Sequence, residues 1–196
     1  MNTKRTRAGF SLMELMIALT VASILLGLAV PNLTQFMKNN KLTSGANDFM
    51  SSLQRARTES VKRQANVVVC ETADPTAANP VCGAGQAWIV FQDTNGNWVS
   101  NGVATEPVIE RHPALDSTVT IKFDGSAGYP IVAFNPTGFA SPTGPVTPTR
   151  NVVICDSRGT AYARAVLISP TGRARASSVA ADVTAAVAQV TGGSCP

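Results

Sequence analysis

An apolar run near the start of the chain constrains the fold more than any other feature. From Phe10 to Val30 the sequence contains one charged residue, Glu14. As a helix rising about 1.5 Å per residue, this run would extend roughly 32 Å, which matches the hydrocarbon core of a bilayer. The sequence therefore predicts a transmembrane half-helix over residues 10–30.

The flanks of this run favour a retained anchor over a cleaved secretory signal. A secretory signal ends at small residues, whereas here Pro31 and Asn32 follow and the helical pattern continues. The basic residues Lys4, Arg5 and Arg7 precede the run and should stay cytoplasmic, because positive residues beside a span are retained on that side. We expect the rest of the chain on the far side of the membrane.

Glu14 is the unusual residue of this anchor. An acidic side chain costs about 2.5 to 3.5 kcal/mol at the centre of a membrane span, and less near an end. One interpretation is a carboxylate tolerated because it lies near the interface. The other is a carboxylate that meets a positive partner, since an ion pair in a dry setting is strong when both partners are placed together.

After Pro31 the apolar residues recur at steps of three and four as far as Val61, which predicts an amphipathic half-helix over residues 31–65. Its polar face is interpreted as a solvated surface. The basic residues on that face are Lys38, Lys41, Arg55, Arg57, Lys62 and Arg63.

Residues 66–196 have the composition of a β-rich globular domain. Six runs rich in β-branched residues are separated by turn residues, as in antiparallel strands. Asn135–Arg150 contains four prolines and two glycines and is predicted to be an extended surface loop. The fold class is therefore α+β, with a long N-terminal helix packed on an antiparallel β-sheet domain. The six runs are Asn66–Cys70, Ala87–Asp93, Thr118–Phe123, Pro130–Phe134, Asn151–Cys155 and Ala161–Ser169.

Charge is unevenly distributed along the chain, although the formal net charge is only +4. The segment 38–63 is basic, the segment 66–124 is acidic, and the segment 150–175 is basic again. Partners should therefore be sought in local clusters and not in the total charge.

Four cysteines, Cys70, Cys82, Cys155 and Cys195, form no C-x-x-C pair, so a zinc site is disfavoured. If the domain faces an oxidising compartment, two disulfides are the natural reading, and three pairings are possible. We favour Cys70 with Cys82, which closes a short loop, and Cys155 with Cys195, which would hold the C-terminal segment.

Other candidate sites are weak. The segment Asp93–Trp98, "DTNGNW", has oxygen ligands at alternate positions but lacks the glycine and glutamate of a calcium loop, and Asn95-Gly96 predicts a type I′ turn. The segment 83–86, "GAGQ", lacks the lysine of a phosphate loop. His112 has no second histidine or nucleophile set beside it. We therefore expect no enzyme, no catalytic residue, no metal and no cofactor.

The segment "RTRAGFSLMELMIAL" resembles the leader and N-terminal helix of type IV prepilins and pseudopilins. The resemblance implies a leader over residues 1–9, cleavage by a prepilin peptidase between Gly9 and Phe10, and methylation of the Phe10 amine. It also implies that Glu14 pairs with Phe10 of a neighbouring subunit during assembly. Pro31 lies where pilins commonly carry a helix-bending proline.

The motifs "LQRARTESVKR", "AWIVFQDTNGN", "FNPTG" and "LISPTGRAR" resemble the GspH/FimT branch of the pilin superfamily. This branch includes minor pilins, some linked to DNA uptake, and the minor pseudopilin of type II secretion. The segment 172–175, "GRAR", is either a solvent-facing strand after a turn or a cationic site for phosphates, because arginine binds phosphate oxygens in pairs. It resembles the DNA-binding element of FimT-type pilins. The proposed contacts are Gly172, Arg173 and Arg175, widened by Arg150, Arg158 or Arg164.

Two functions therefore stand as expectations. The first is a minor pilin of a type IV pilus, which works with an inner-membrane assembly platform and other pilins and binds double-stranded DNA for natural transformation. The alternative is a minor pseudopilin of type II protein secretion. In both, the protein would lie in the inner membrane with its globular domain in the periplasm, and would then enter the pilus or pseudopilus.

Overall fold

The computed structural model describes residues 9–100, 102, 104–124, 131–140, 150–190 and 192–195. The chain divides into two units, the first through Asn39 and the second from Asn40 onward. The first eight residues of the predicted leader and most of the predicted loop, residues 141–149, lie outside the described residues. The helices and strands are α1 (Leu12–Arg63), β1 (Asn66–Thr72), β2 (Ala87–Asp93), β3 (Val108–His112), β4 (Val119–Phe123), β5 (Ile131–Phe134), β6 (Asn151–Asp156), β7 (Arg164–Ile168), β8 (Ala174–Ser177) and α2 (Ala180–Val187).

In the first unit, α1 contributes a helix whose described side chains from Leu12 through Lys38 are all exposed, with that of Pro31 left aside. The helix is long and apolar enough to cross a membrane, with a mean hydropathy of 2.2 over its most apolar window. Glu14 lies in its first turn. The long N-terminal helix predicted from the sequence is thus present, and it ends at Arg63, two residues earlier than expected.

In the second unit, α1 presents one apolar face to a core between the helix and both sheets. Its buried residues are spaced three and four apart, which places them on one side of the helix. The aromatic ring of Phe49 lies edge-on to Trp88 at 5.3 Å and to Phe123 at 5.5 Å. The buried helix residues are Leu42, Ala46, Phe49, Leu53 and Ala56.

Two four-stranded antiparallel sheets pack against this face. Their strand orders are β3-β2-β1-β5 and β4-β6-β7-β8. All six predicted runs contain a strand, which confirms the α+β class, but the last run begins with a 3-10 turn at Thr160–Tyr162 and becomes a strand only at Arg164. The strand β3 and the helix α2 were not predicted, and β8 corresponds only to one of the two interpretations of residues 172–175. Polar side chains in β3 hid its pattern, whereas the spacing of Val183, Val187 and Val190 was a signal for α2.

The outer face of each sheet is covered by a segment that a disulfide holds in place. Cys70 bonds Cys82 beside Trp98 on the first sheet, and Cys155 bonds Cys195 beside α2 on the second. Both disulfides are the pairs favoured from the sequence, one because it closes a short loop and the other because it holds the C-terminal segment. The second joins residues 40 positions apart, so on chain-entropy grounds it restricts the unfolded chain more than the first, which joins residues 12 apart.

The basic face of α1 is largely neutralised by acids from the rest of the unit. Lys41 Nζ lies 3.0 Å from Asp116 Oδ2, and Arg55 Nε lies 3.5 Å from Glu110 Oε2. Lys62 and Arg63 both pair with Glu59 on the helix itself. The alternation of basic and acidic segments along the sequence therefore corresponds in part to ion pairs within the chain.

A buried polar contact also joins α1 to the first sheet. Trp88 Nε1 donates to Ser52 Oγ at 2.9 Å, and Ser52 Oγ donates to Glu110 Oε1 at 2.5 Å. His112 stacks on the Trp88 ring with 3.8 Å between ring centroids. His112 therefore has a packing role at the end of β3.

The predicted type I′ turn at Asn95-Gly96 is wrong. That turn needs positive φ at both central residues, and only Gly96 has it, at 74°. Instead, the Asp93 carboxylate accepts the backbone N–H groups of Gly96 and Trp98. The chain then makes an irregular loop before it returns as β3, because Asp93 stabilises that loop locally.

Glu71 makes the stability of this unit depend on pH. Burial raises the pKa of its carboxyl group to about 8, from an ordinary value of 4.5. Below pH 4.5 the group is protonated in both folded and unfolded chains, so it opposes folding only as pH rises through 4.5 towards 8. We expect the free energy of unfolding to fall over that window and Glu71→Gln to flatten the decline, as measured by denaturant titration of the full chain in detergent at pH 5, 6.5 and 8. An unchanged pH slope in Glu71→Gln would assign the dependence to another group.

Candidate functional site

Two similar turns prepare the position of the arginine segment. The sequences 134–140, "FNPTGFA", and 168–174, "ISPTGRA", each follow a strand, and in each the glycine N–H donates to the carbonyl three residues earlier at 2.9 Å. The turns also contact one another, since Ala140 N donates to Pro170 O at 3.1 Å. The loop that precedes Arg173 and Arg175 is therefore stabilised both by its own hydrogen bond and by a hydrogen bond to the first turn.

Arg57 of α1 connects both turns to the helix. Its Nε donates to Gly138 O at 2.9 Å, and its Nη2 donates to Thr171 O at 3.3 Å. The interpretation of Arg57 as part of a solvated face is therefore wrong. No local pattern in the sequence distinguishes it from Arg55, because its partners lie 81 and 114 residues away.

Gly172 has a structural role in this contact. Its φ is +76°, and a Cβ atom placed on it would lie 2.1 Å from Gly138 O. A side chain would therefore push the two turns apart. Gly172 is buried, so it positions the arginines and does not present a contact surface of its own.

Arg150, Arg173 and Arg175 line one cavity of about 590 Å³. It lies where β6 begins and β7 ends, and Leu167 contributes to its wall. Leu167 pairs with Asn151 on one side and with Arg175 on the other, and residues opposite each other on antiparallel strands point to the same face. The cavity thus combines an apolar wall with three cationic groups.

Arg150 is held in place by its backbone and not by an ion pair. Its N–H donates to Asp124 Oδ1 at 2.7 Å, and its carbonyl accepts Ile168 N at 2.8 Å. Its side-chain Nη1 is buried without a hydrogen-bond partner within the described part of the chain. A buried N–H without an acceptor is costly, so an anion that entered the cavity would meet a donor already stripped of water.

Arg175 lines this cavity and also forms an ion pair with a residue of α2. Its Nη1 lies 2.8 Å from Asp182 Oδ2, and its side chain remains 60% exposed. Hydrogen bonds from Arg175 and Ser177 lower the pKa of Asp182, while the hydrogen bond to Asp182 raises the pKa of Arg175.

Arg158 and Arg164 lie at the opposite end of β7 and do not line the cavity. Arg158 Nη2 is 2.7 Å from Asp156 Oδ2, and its guanidinium carbon is 4.3 Å from the centre of the Tyr162 ring. Arg164 Nη1 donates to the carbonyls of Tyr162 and Ala163. The structure therefore reduces the proposed five-arginine patch to Arg150, Arg173 and Arg175.

The residues of the assembly hypothesis lie at the other end of the chain. Gly9 and Phe10 precede α1, and the Phe10 side chain is 83% exposed. Among the described residues, no three His, Cys, Asp or Glu side chains come together as metal ligands. What the described side chains offer chemically is a cavity lined by three arginines and, at the start of α1, an apolar helical segment with one carboxylate.

Comparison with known proteins places the chain among pilin-like proteins. Residues 45–172 match the family model for the type II transport protein GspH, and residues 4–30 match the prokaryotic N-terminal methylation motif. No curated protein matches the chain.

A solved structure shows the same fold. The type IV minor pilin FimU of Pseudomonas aeruginosa strain PAO1, in a P21 crystal, aligns with a TM-score of 0.52 and 20% identity over 72% of this chain and 92% of FimU. A second crystal form of FimU, P65, gives a TM-score of 0.49 and 19% identity over 69% and 92% of the two chains.

Proposed function

Since this chain belongs to the GspH family of pilin-like proteins, we propose that it is a minor pilin of a type IV pilus. It is incorporated into the filament at low copy, where it has a structural role, and it binds DNA. Its parts are a leader at residues 1–9, a transmembrane half-helix at 10–30, an amphipathic half-helix at 31–65 and a β-rich domain at 66–196. The domain lies in the periplasm until the subunit leaves the inner membrane for the pilus.

Assembly begins at the N-terminus. The methylation motif at residues 4–30 supports cleavage by a prepilin peptidase after Gly9 and methylation of the new Phe10 amine. Glu14 then pairs with the Phe10 amine of a neighbouring pilin, while the inner-membrane platform supplies the site of insertion. The free energy of this pair offsets the cost of a carboxylate in apolar surroundings.

DNA binding is carried by one observation, the cavity lined by Arg150, Arg173 and Arg175. Guanidinium groups bind phosphate oxygens without reading the sequence of bases, so the ligand we propose is the backbone of double-stranded DNA. Of the basic residues of α1, Lys41, Arg55, Lys62 and Arg63 are paired with acids, and none of these four lines the cavity.

The alternative function is that of a minor pseudopilin in type II protein secretion. The description of the matching family, a type II transport protein, favours it. The same anchor and assembly contact serve both functions, but secretion does not require a phosphate-binding cavity. DNA binding therefore distinguishes the two proposals.

The test is the affinity of the full chain, in detergent micelles, for a short DNA duplex. We expect Arg173→Gln/Arg175→Gln to weaken binding about tenfold or more at low salt and to make the slope of log K against log salt shallower by about 1 to 2, because up to two phosphate contacts are lost. The matched control is Arg55→Gln/Lys62→Gln, which removes the same charge from α1 and should change affinity little. Equal affinities for the wild type and the Arg173→Gln/Arg175→Gln chain would exclude this DNA site and favour the secretion function.

A further inference from the structure

One arginine that lines the cavity, Arg175, already pairs with an acidic residue of the chain. Asp182 reaches over from α2, and its Oδ2 both contacts Arg175 Nη1 at 2.8 Å and accepts Ser177 Oγ at 2.7 Å. The Asp182 side chain is 28% exposed and that of Arg175 is 60% exposed. Ion pairs in such exposed settings are weak, so a competing anion can replace Asp182 at little cost.

Among the described residues, the other two arginines of the cavity make no ion pair as close as that of Arg175, although the Asp124 carboxylate lies near enough to Arg150 to interact with its charge. Arg150 Nη1 is buried and makes no hydrogen bond there. Arg173 is exposed, and its hydrogen bonds in that part of the chain come from its backbone, which pairs with Ser169. The three cations of the cavity are therefore unequal, with two open to an external anion and one occupied.

We propose that Asp182 sets the affinity and selectivity of this site, and that a phosphate group of the ligand replaces it on Arg175. The inference rests on the proposed DNA binding. Because Asp182 is tethered beside Arg175, its effective concentration is on the order of millimolar or higher. A free phosphate ion must therefore compete with Asp182 for Arg175 without the help of a second contact.

A phosphodiester polymer has an advantage that a free ion lacks. Once Arg150 and Arg173 hold one phosphate, the neighbouring phosphate of the same strand approaches Arg175 as an intramolecular competitor of Asp182. The pairing of Arg175 with Asp182 thus disfavours small anions relative to polymers. Asp182 is a specificity-determining residue in this sense, although it need not touch the ligand.

The experiment compares duplex DNA affinity for the full chain in detergent, as wild type, Asp182→Asn and Asp116→Asn. Asp116→Asn is the matched control, because it removes the same charge and frees Lys41 as Asp182→Asn frees Arg175. We expect Asp182→Asn to bind DNA about two- to fivefold more tightly. Inorganic phosphate at constant ionic strength should displace DNA at lower concentrations from Asp182→Asn than from the wild type, and Asp116→Asn should match the wild type in both measurements.

Each result distinguishes the role of Asp182 from the DNA binding on which it rests. If the wild type binds DNA through Arg173 and Arg175 but Asp182→Asn binds no better, the role of Asp182 is wrong and the DNA site stands. A gain of the same size in Asp116→Asn would make the effect one of total charge and would also overturn the inference. If no variant binds DNA, the proposed function itself fails. Asp182→Ser, with the same expected gain, replaces Asp182→Asn if the melting temperature shows that asparagine unfolds the chain.

Discussion

A Gly172→Ala chain is expected to lose about 3 to 4 kcal/mol of folding stability. Two effects add. The positive φ of 76° disfavours any residue with a Cβ atom, and that atom would lie 2.1 Å from Gly138 O. Since both turns are held by Arg57, neither is free to retreat without breaking its hydrogen bonds to the helix. Chemical denaturation of the full chain in detergent, followed by near-ultraviolet circular dichroism, measures the loss.

Gly96→Ala is the matched control for this substitution. Gly96 has nearly the same φ, 74°, but a Cβ atom placed there would have no neighbour within 4 Å. It should therefore cost only about 1 to 2 kcal/mol, the part that comes from the backbone conformation. Equal losses in the two variants would show that the contact between the turns adds nothing. The Gly172→Ala chain is also expected to bind DNA poorly, and that defect would reflect misplaced arginines.

Glu14→Ala is expected to leave the protein in the membrane and to remove it from filaments. The substitution makes the anchor more apolar, so insertion should be unaffected or improved. In a filament, however, the Phe10 amine of the neighbouring subunit would be left without its carboxylate, and an unpaired buried charge costs about 3 to 5 kcal/mol. The measurement is the amount of the protein in sheared filaments relative to the membrane fraction, with mass spectrometry of the mature N-terminus.

Thr20→Ala is the control for this experiment. Thr20 is also a polar residue of the apolar helix, but its hydroxyl donates to the Ile17 carbonyl of the same helix at 2.8 Å, so no other subunit is needed to satisfy it. Filaments should contain it at the wild-type level, and both variants should begin at Phe10. Normal incorporation of Glu14→Ala would contradict the assembly role, whereas a mature chain that begins elsewhere would contradict the cleavage site.

Local patterns in the sequence predicted most of the architecture. Spacing of three and four defined the buried face of α1 from Leu42 to Ala56, because a helix repeats every 3.6 residues. Runs of β-branched residues located six of the eight strands in the described part of the chain, and both disulfides are the pairs favoured from the sequence. The exceptions are the short edge strands β3 and β8, which are stabilised by pairing with β2 and β7, and the short helix α2, which packs on a sheet. The Asn95-Gly96 turn failed because Asp93 stabilises a different loop.

The candidate site depended far more on tertiary structure. The sequence identified the arginines of residues 150–175 as a group, but the fold separated them, with Arg150, Arg173 and Arg175 at one cavity and Arg158 and Arg164 at the other end of β7. The same spacing in the sequence is compatible with an arginine that is free to bind a ligand, one that is neutralised by an acid, or one that holds two loops together. Which of these an arginine becomes depends on the acid or carbonyl that folding brings to it.

The sequence by itself determined the long apolar N-terminal helix, the α+β class and the favoured disulfide pairs, and it predicted the roles of Gly9, Phe10 and Glu14. Each of these depends on neighbouring residues or on the extent of one segment. Only the tertiary structure decided that Arg57 hydrogen-bonds to both turns, that Gly172 must lack a side chain and that Asp182 forms an ion pair with Arg175. The physical reason is that hydrogen bonds and ion pairs act over a few ångströms, while their partners here can be more than one hundred residues apart along the chain.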